Sequence, residues 1–357
     1  MSDLHPRPGG PPHGPLARLA LHLVRDERDL PLLRLGVLAI LILGPGMAIM
    51  YALPTSWTLA LTPVWLAVVF LGFGGRYLLM VHAVIHRPLF RPELRWLEHL
   101  FPSIVAIPFG CTPNSFYTHH VGMHHAEGNM EDDHSSTLGY RRDSFPQFVH
   151  YWARFFFFGY LHVPRYFKIR ERRKLYLQLV MGEYTWGLLV LVGLYFDWAA
   201  TFVTLVLPFC LIRWFMMCGN FAQHAFVDVD HADDPYRNST VLLNTTYNRK
   251  CWNDGYHIVH HIKPNLHWSE MPAWFEAHRE TFAEHDAIVF DGIQNNQQIW
   301  WLLMTHNYGK LADHLVDFKG RTREERIAFL QSRTQRQGMA MRGFLEREPD
   351  LRAAPAV

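Results

Sequence analysis

The stretch Trp252–His267, WNDGYHIVHHIKPNLH, carries three histidines at the spacing HxxHH, namely His257, His260 and His261. On an α-helix, positions i, i+3 and i+4 share one face, so the three imidazoles would point the same way. Neutral imidazole is a ligand that suits iron, zinc, copper and nickel. The stretch therefore predicts a metal site, and the chain offers more residues of the same kind.

Further histidine clusters lie upstream in HAVIH (82–86), HVGMHH (120–125) and GNFAQH (219–224), the last of which pairs Asn220 with a histidine at i,i+4. A single HxxxH pair occurs by chance, whereas repeated clusters indicate one site assembled from several helices. An ion takes about four to six ligands, so nine imidazoles favour two metal ions. The candidate ligands are His82, His86, His120, His124, His125, His224, His257, His260 and His261.

The identity of the metal is less constrained by these residues alone. Zinc sites usually need only three or four protein ligands, and copper is compatible with the ligand type. A soluble di-iron bundle would use glutamates and paired ExxH motifs, which do not occur here. Carboxylates close to the clusters are candidates to hold the ligating rings from behind, or else are solvated loop residues. They are Glu127, Glu131, Asp132, Asp133, Asp228 and Asp254.

Four apolar runs accompany the histidine clusters, at residues 35–53, 57–80, 184–196 and 201–218. The first two are long enough to cross a bilayer as helices, and short turns join the runs in pairs. This arrangement favours two membrane hairpins over a helix pair in a soluble core. We therefore predict an all-α integral membrane protein with four transmembrane helices. A shorter apolar patch at 101–109 cannot span and is interpreted as interfacial or re-entrant.

The distribution of charge predicts the orientation. The two short turns, 53–57 and 196–200, contain no Lys or Arg, whereas the other loops and both tails contain nearly all of them. By the positive-inside rule, the termini and the long middle loop face the cytoplasm, as in a multi-pass protein of a bacterial inner membrane. Residues 82–183 and 219–275 would then form a cytoplasmic helical cap that holds the histidine-rich site.

The domain divisions, the net charge and the cysteines restrict the class of protein further. A polar tail at 1–30, a membrane domain at 31–275 and a helical cytoplasmic tail at 276–357 are the expected divisions. The net charge of +2 gives no electrostatic case for nucleic acid. The four cysteines form no CxxC motif, which indicates free thiols in a reducing compartment.

The motifs HAVIH, HVGMHH and HIVHH, with the intervening Asn-x-x-x-His, resemble the three histidine boxes of integral-membrane fatty acid desaturases over about residues 35–275. The resemblance implies that the nine histidines bind two irons, which activate O2 to remove hydrogen from an unactivated C–H bond. It also implies that Asn220 reaches an iron through water, as a matching Asn does in related acyl-CoA desaturases. Two departures stand out: Ala83 replaces the usual Asp of the first box, and the second box is HxxxHH where many members have HxxHH.

The resemblance implies an O2-dependent di-iron oxidoreductase that desaturates a long acyl chain, held on a lipid or a thioester. No catalytic residue separate from the metal ligands is predicted, and the electron donor is external, a ferredoxin or a cytochrome b5 type with its reductase. A di-iron hydroxylase of alkanes or lipids is the alternative on the same scaffold. A metal transporter would place ionisable residues inside the apolar runs, where only Arg76 and Arg213 come near.

Overall fold

The computed structural model describes residues 14–336, and the chain divides into two compact units. The first unit comprises residues 14–118 and 177–213, and the second comprises residues 119–176 and 214–336. His82 and His86 belong to the first unit, and the other seven candidate histidines belong to the second. Residues 1–13 of the predicted polar tail at 1–30 lie outside the described residues, and within the rest of it Pro15–Leu23 forms a helix.

Four helices among residues 14–336 are long and apolar enough to cross a membrane: Glu27–Ala52, Thr62–His86, Arg173–Phe196 and Trp198–Gln223. The prediction of a helical membrane protein with four spans is confirmed. Each of the four helices extends past its apolar run at one end or both, because helical hydrogen bonding does not stop where hydropathy falls. The second span accordingly ends at His86, so that the first histidine box is the last turn of a membrane helix.

The α-helices of the described residues fall between short turns and irregular segments. In chain order they are Pro15–Leu23, Leu30–Ala52, Thr55–Ala60, Thr62–Leu66, Gly75–His86, Leu97–Ala106, Pro113–His119, His125–Glu127, Phe145–Ile169, Arg173–Phe196, Trp198–Thr201, Leu207–Gln223, Thr246–Lys250, His257–Ile262, Met271–Ala277, Arg279–Glu284, Asn296–Met304, Tyr308–His314 and Arg323–Ser332. Segments of π-helix occupy Ala67–Gly74, His120–His124 and Phe202–Val206. Short 3₁₀ turns are Glu27–Asp29, Pro92–Leu94, Ile107–Phe109, Val229–His231 and Trp268–Glu270.

The second unit contains a two-stranded parallel sheet that the sequence analysis did not predict. Strand Thr240–Leu243 pairs with Ile288–Asp291, and Thr240 lies opposite Ile288. Parallel strands need a long crossover connection, which here is helical and includes the third histidine box. One face of the sheet packs under this box, so the strand pair forms part of its support.

Residues assigned from the sequence to a C-terminal tail from 276 onward take part in this core as far as the structure describes them. The second strand, the Asn296–Met304 helix and the Tyr308–His314 helix pack with Phe226 and Leu242 in one hydrophobic cluster. The Arg323–Ser332 helix begins with a capping box between Thr322 and Glu325, and residues 337–357 of the predicted tail lie outside the described residues.

Candidate metal centre

The third histidine box forms the short helix His257–Ile262, and its two faces differ in character. Ile258 and Val259 are fully buried in a cluster with Val241 and Phe275. Their burial fixes the rotation of the helix, so that the three histidines share the opposite side, as the HxxHH spacing predicts. The apolar residues between the histidines therefore orient the ligands.

The second box adopts a π-helical turn over His120–His124. The backbone N–H of His125 donates to the carbonyl of His120, five residues earlier, and places these two rings together, with 3.0 Å between their Nε2 atoms. A π-bulge accommodates one extra residue within a helix and is frequent at functional sites. It explains the departure in this box, because HxxxHH is HxxHH with one residue added.

Seven histidine side chains of the second unit form two groups, in each of which the potential ligand atoms lie within 4.8 Å of one another. The Nε2 atoms of His125 and His260 lie 2.9 Å apart in one group, and those of His257 and His261 lie 3.1 Å apart in the other. Two nitrogens bound to one ion at about 2.1 Å and at right angles lie about 3 Å apart, so this spacing suits a shared metal. The first group holds His120, His125 and His260, and the second holds His124, His224, His257 and His261.

Two ligand rings of the second group are held from behind by hydrogen bonds. His124 Nδ1 lies 2.6 Å from Asp133 Oδ2, and His224 Nδ1 lies 2.8 Å from the carbonyl oxygen of Asn238. Both acceptors favour the tautomer that carries its proton on Nδ1. The Nε2 atoms of His124 and His224 are buried and have no hydrogen-bond partner. Buried polar atoms are rarely left without partners, so these two unsatisfied lone pairs fit a metal ion.

The protonation states agree with metal binding. Burial lowers the pKa of His224 to about 3, with a further contribution from His124, so His224 is neutral at physiological pH. Burial opposes ionisation of Asp133, but His124, His119 and Ser135 outweigh it and hold the pKa of that carboxyl below its usual range. The centre thus contains a neutral ligand ring, as ligation through imidazole requires, together with an ionised carboxylate behind His124.

A loop at 129–137 supports His224 from a distance in sequence. The Thr137 hydroxyl donates to the carbonyl of His224 at 2.8 Å, and the Thr137 N–H donates to Asn129 Oδ1 at 2.8 Å. Asn129 Nδ2 in turn donates to Asn238 Oδ1 at 3.1 Å. The sequence did not predict these contacts, because no local pattern indicates that polar residues about 100 positions apart will meet in the fold.

Asp254 reaches the third box through an intermediate side chain. Gln223 Nε2 lies 3.2 Å from Asp254 Oδ2 and 3.2 Å from His257 Nδ1, and the Tyr247 hydroxyl donates to the same carboxylate at 2.6 Å. Asp133 and Asp254 are thus linked to ligand rings, directly in one case and through Gln223 in the other. Other nearby carboxylates bind arginines instead: Glu127 and Asp132 pair with Arg170, and Asp228 pairs with Arg237 and Arg333.

The remaining predicted site residues are Asn220, His82 and His86. Asn220 Nδ2 donates to the Tyr151 hydroxyl at 2.7 Å and to the Ser135 carbonyl at 3.2 Å, so the predicted water-mediated role concerns its oxygen, Oδ1. His82 and His86 lie on one helix of the first unit with ring centroids 5.4 Å apart.

Three further histidines near the boxes stand outside both groups. His119 Nε2 is 4.0 Å from Asp133 Oδ1, and His267 Nδ1 is 2.7 Å from the Ser269 hydroxyl. His134 is buried beside Phe155 and His162.

The described residues thus combine four membrane-length helices with two groups of imidazoles that could each hold a metal ion. The family model for fatty acid desaturase matches residues 54–292, and the chain belongs to the fatty acid desaturase family. The matched segment contains all the predicted ligand positions, from His82 to His261. Comparison with curated proteins gives no match, and comparison with solved structures gives none either.

Proposed function

We propose that the chain is a membrane-bound di-iron desaturase that uses O2 and external electrons to introduce a double bond into a long acyl chain. The observation that carries the proposal is the pair of imidazole groups, with buried and unsatisfied Nε2 atoms on His124 and His224. Membership of the family supports an oxidoreductase of the desaturase and hydroxylase type. The acyl substrate and the particular reaction are our inference.

The proposed iron ligands are the nine histidines, together with Asn220 through water. Seven of them form the two groups of the second unit, and the sequence pattern of the first box adds His82 and His86. When bound, the irons supply the O2 chemistry that removes hydrogen from an unactivated C–H bond. The protein holds the rings in position: Asp133 and the Asn238 carbonyl fix the proton on Nδ1 of their histidines, and burial keeps His224 neutral.

Isotopic oxygen distinguishes desaturation from hydroxylation, which share the first hydrogen abstraction. Purified protein, supplied with iron, an electron donor and ¹⁸O2, should yield an unsaturated acyl product without label, because both oxygen atoms leave as water. Mass spectrometry of the acyl chain provides the measurement. A hydroxylated chain with one ¹⁸O atom as the main product would replace the desaturase with the alternative hydroxylase.

We also propose that the histidine-rich residues face the cytoplasm, where an external electron donor can reach them. The support is the absence of Lys and Arg from the turns at 53–57 and 196–200. Single cysteines at the exposed positions Ser56 and Asp233, in a background with Cys210 replaced by Ser, should be labelled from opposite sides of the membrane. Labelling of both from the same side would contradict this topology.

A further inference from the structure

A cavity of about 490 Å³ lies within the first unit, beside the helix that carries His82 and His86. Val84 and Ile85 of that helix form part of its wall, as do Tyr117 and the three arginines Arg25, Arg91 and Arg95. The volume falls in the range of small-molecule sites, which combine apolar walls with a few polar groups. None of the proposed iron ligands lines this cavity, so metal binding does not account for the three arginines in its wall.

The cavity carries an excess of positive charge. Glu98 is the one carboxylate in its wall, and its two oxygens accept the backbone N–H groups of Leu89 and Phe90, at 3.1 and 2.7 Å. Within residues 14–336, no carboxylate lies within ion-pair distance of the three arginines. The Nε of Arg91 donates a hydrogen bond to the carbonyl of Val24 at 3.3 Å, which orients the side chain. Glu98 interacts electrostatically with Arg25 from beyond ion-pair distance, so the three guanidinium groups still outnumber the carboxylate. This excess of positive charge suits a phosphate, which guanidinium groups can bind through several N–H groups.

The segment around the Leu97–Ala106 helix relates this cavity to the membrane. Arg95, Glu98, His99 and Pro102 line the cavity at the helical spacing i, i+3, i+4 and i+7. A neighbouring stripe on the same segment is apolar and exposed, with exposed fractions of 61% for Trp96, 44% for Leu100 and 42% for Ile104. An apolar stripe next to a polar one is typical of a helix in the plane of the headgroup layer. The cavity therefore opens where lipid headgroups would lie.

We propose that this cavity binds the phosphate of a membrane glycerophospholipid whose acyl chain is the substrate. The proposal rests on the proposed desaturase function and adds the carrier of the acyl chain. Arg25, Arg91 and Arg95 bind the phosphate, and the lipid-exposed stripe of Trp96, Leu100 and Ile104 lies beside the acyl chains. A headgroup fixed against Val84 and Ile85 is held within one helical turn of His82 and His86, so it would help to set which carbon is oxidised.

The test compares the triple variant Arg25→Gln/Arg91→Gln/Arg95→Gln with a control, Lys250→Gln/Lys310→Gln/Lys319→Gln. The control removes the same charge from exposed lysines of the second unit. Binding to intact protein in neutral detergent is measured with fluorescent phosphatidylglycerol, with diacylglycerol of the same chains, and with the acyl-coenzyme A ester. The wild type and the control should bind phosphatidylglycerol at least tenfold more tightly than diacylglycerol. The arginine variant should lose that preference.

Turnover of each acyl carrier gives the second readout. In the arginine variant, KM for phosphatidylglycerol should rise at least tenfold while kcat changes little, because the metal ligands are intact. Unchanged phosphatidylglycerol binding in that variant would overturn the proposal, as would a wild type that prefers the coenzyme A ester. Arginine-dependent lipid binding without any desaturation would support the headgroup site and contradict the proposed function, so the two failures are distinguishable.

Discussion

Replacement of His124 or His261 by alanine is expected to abolish turnover and to lower bound iron from two per chain towards one. Both rings belong to the group that also contains His224 and His257, with ligand atoms within 4.8 Å of one another. Loss of a residue that only supports a metal ligand already costs about 10–100-fold in metal affinity or activity, so loss of a ligand should cost more. Iron analysis of detergent-purified protein and product analysis provide the measurements.

His119→Ala is the control for this experiment. His119 adjoins the second box in sequence but stands outside both groups, with its Nε2 4.0 Å from Asp133. We expect this variant to retain its iron and most of its activity. An equal loss in His119→Ala would place the second box one residue out of register. One zinc per chain, without any dependence of activity on iron, would contradict the di-iron assignment itself.

The long-range membrane architecture was predictable because it depends on composition over many residues. Apolar runs of about 20 residues exclude most soluble folds, and turns without Lys or Arg divide them into hairpins. Their ends were not predictable in the same way. The helix through Gly75–His86 continues into polar sequence because backbone hydrogen bonds continue, and hydropathy does not detect that continuation.

The histidine-rich site was predictable as a set of residue types but not as an arrangement. His124 and His125 are neighbours in sequence, yet they belong to different groups, since successive residues on a helix point about 100° apart. The π-bulge at His120–His124 comes from one added residue, and the amino-acid composition does not predict it. The strands Thr240–Leu243 and Ile288–Asp291 were missed because the three apolar residues that each contains do not distinguish a strand from a buried helix.

Arg142 illustrates a contribution that no local pattern reveals. It is completely buried, and burial lowers its pKa to about 10, so it still carries a charge at neutral pH. Its Nε donates to the carbonyl of Ala225 at 2.8 Å, and its Nη2 donates to the carbonyls of Arg333 and Gln335 at 2.9 and 2.8 Å. One guanidinium group therefore joins the segment after His224 to the turn that follows the last described helix.

Arg142→Met should strongly destabilise the protein, because it keeps the length of the side chain and removes every donor. Each buried carbonyl left without a partner costs about 1–3 kcal/mol. Three buried carbonyls accept from Arg142, those of Ala225, Thr137 and Tyr140, and together they correspond to at least roughly 3 kcal/mol. That loss should lower Tm by roughly 5 °C or more. It should also release the chain near Gln335 to proteases, because Arg142 donates directly to this turn. Thermal unfolding in detergent and limited proteolysis provide the two measurements.

Arg141→Met is the matched control, one residue away. Arg141 is about half exposed and pairs with the buried Asp143 at 2.7 Å. Asp143 also accepts from the Tyr308 hydroxyl at 2.8 Å, so it keeps a partner when Arg141 is replaced, and we expect a loss of about 1 kcal/mol. We expect a Tm close to that of the wild type and unchanged cleavage near Gln335. Arg142→Lys should resemble the Met variant more than the wild type, because one ammonium group cannot reach carbonyls that a planar guanidinium group meets in several directions. Equal stability of the Arg142→Met and Arg141→Met variants would show that the buried guanidinium does not hold the C-terminal turn in place.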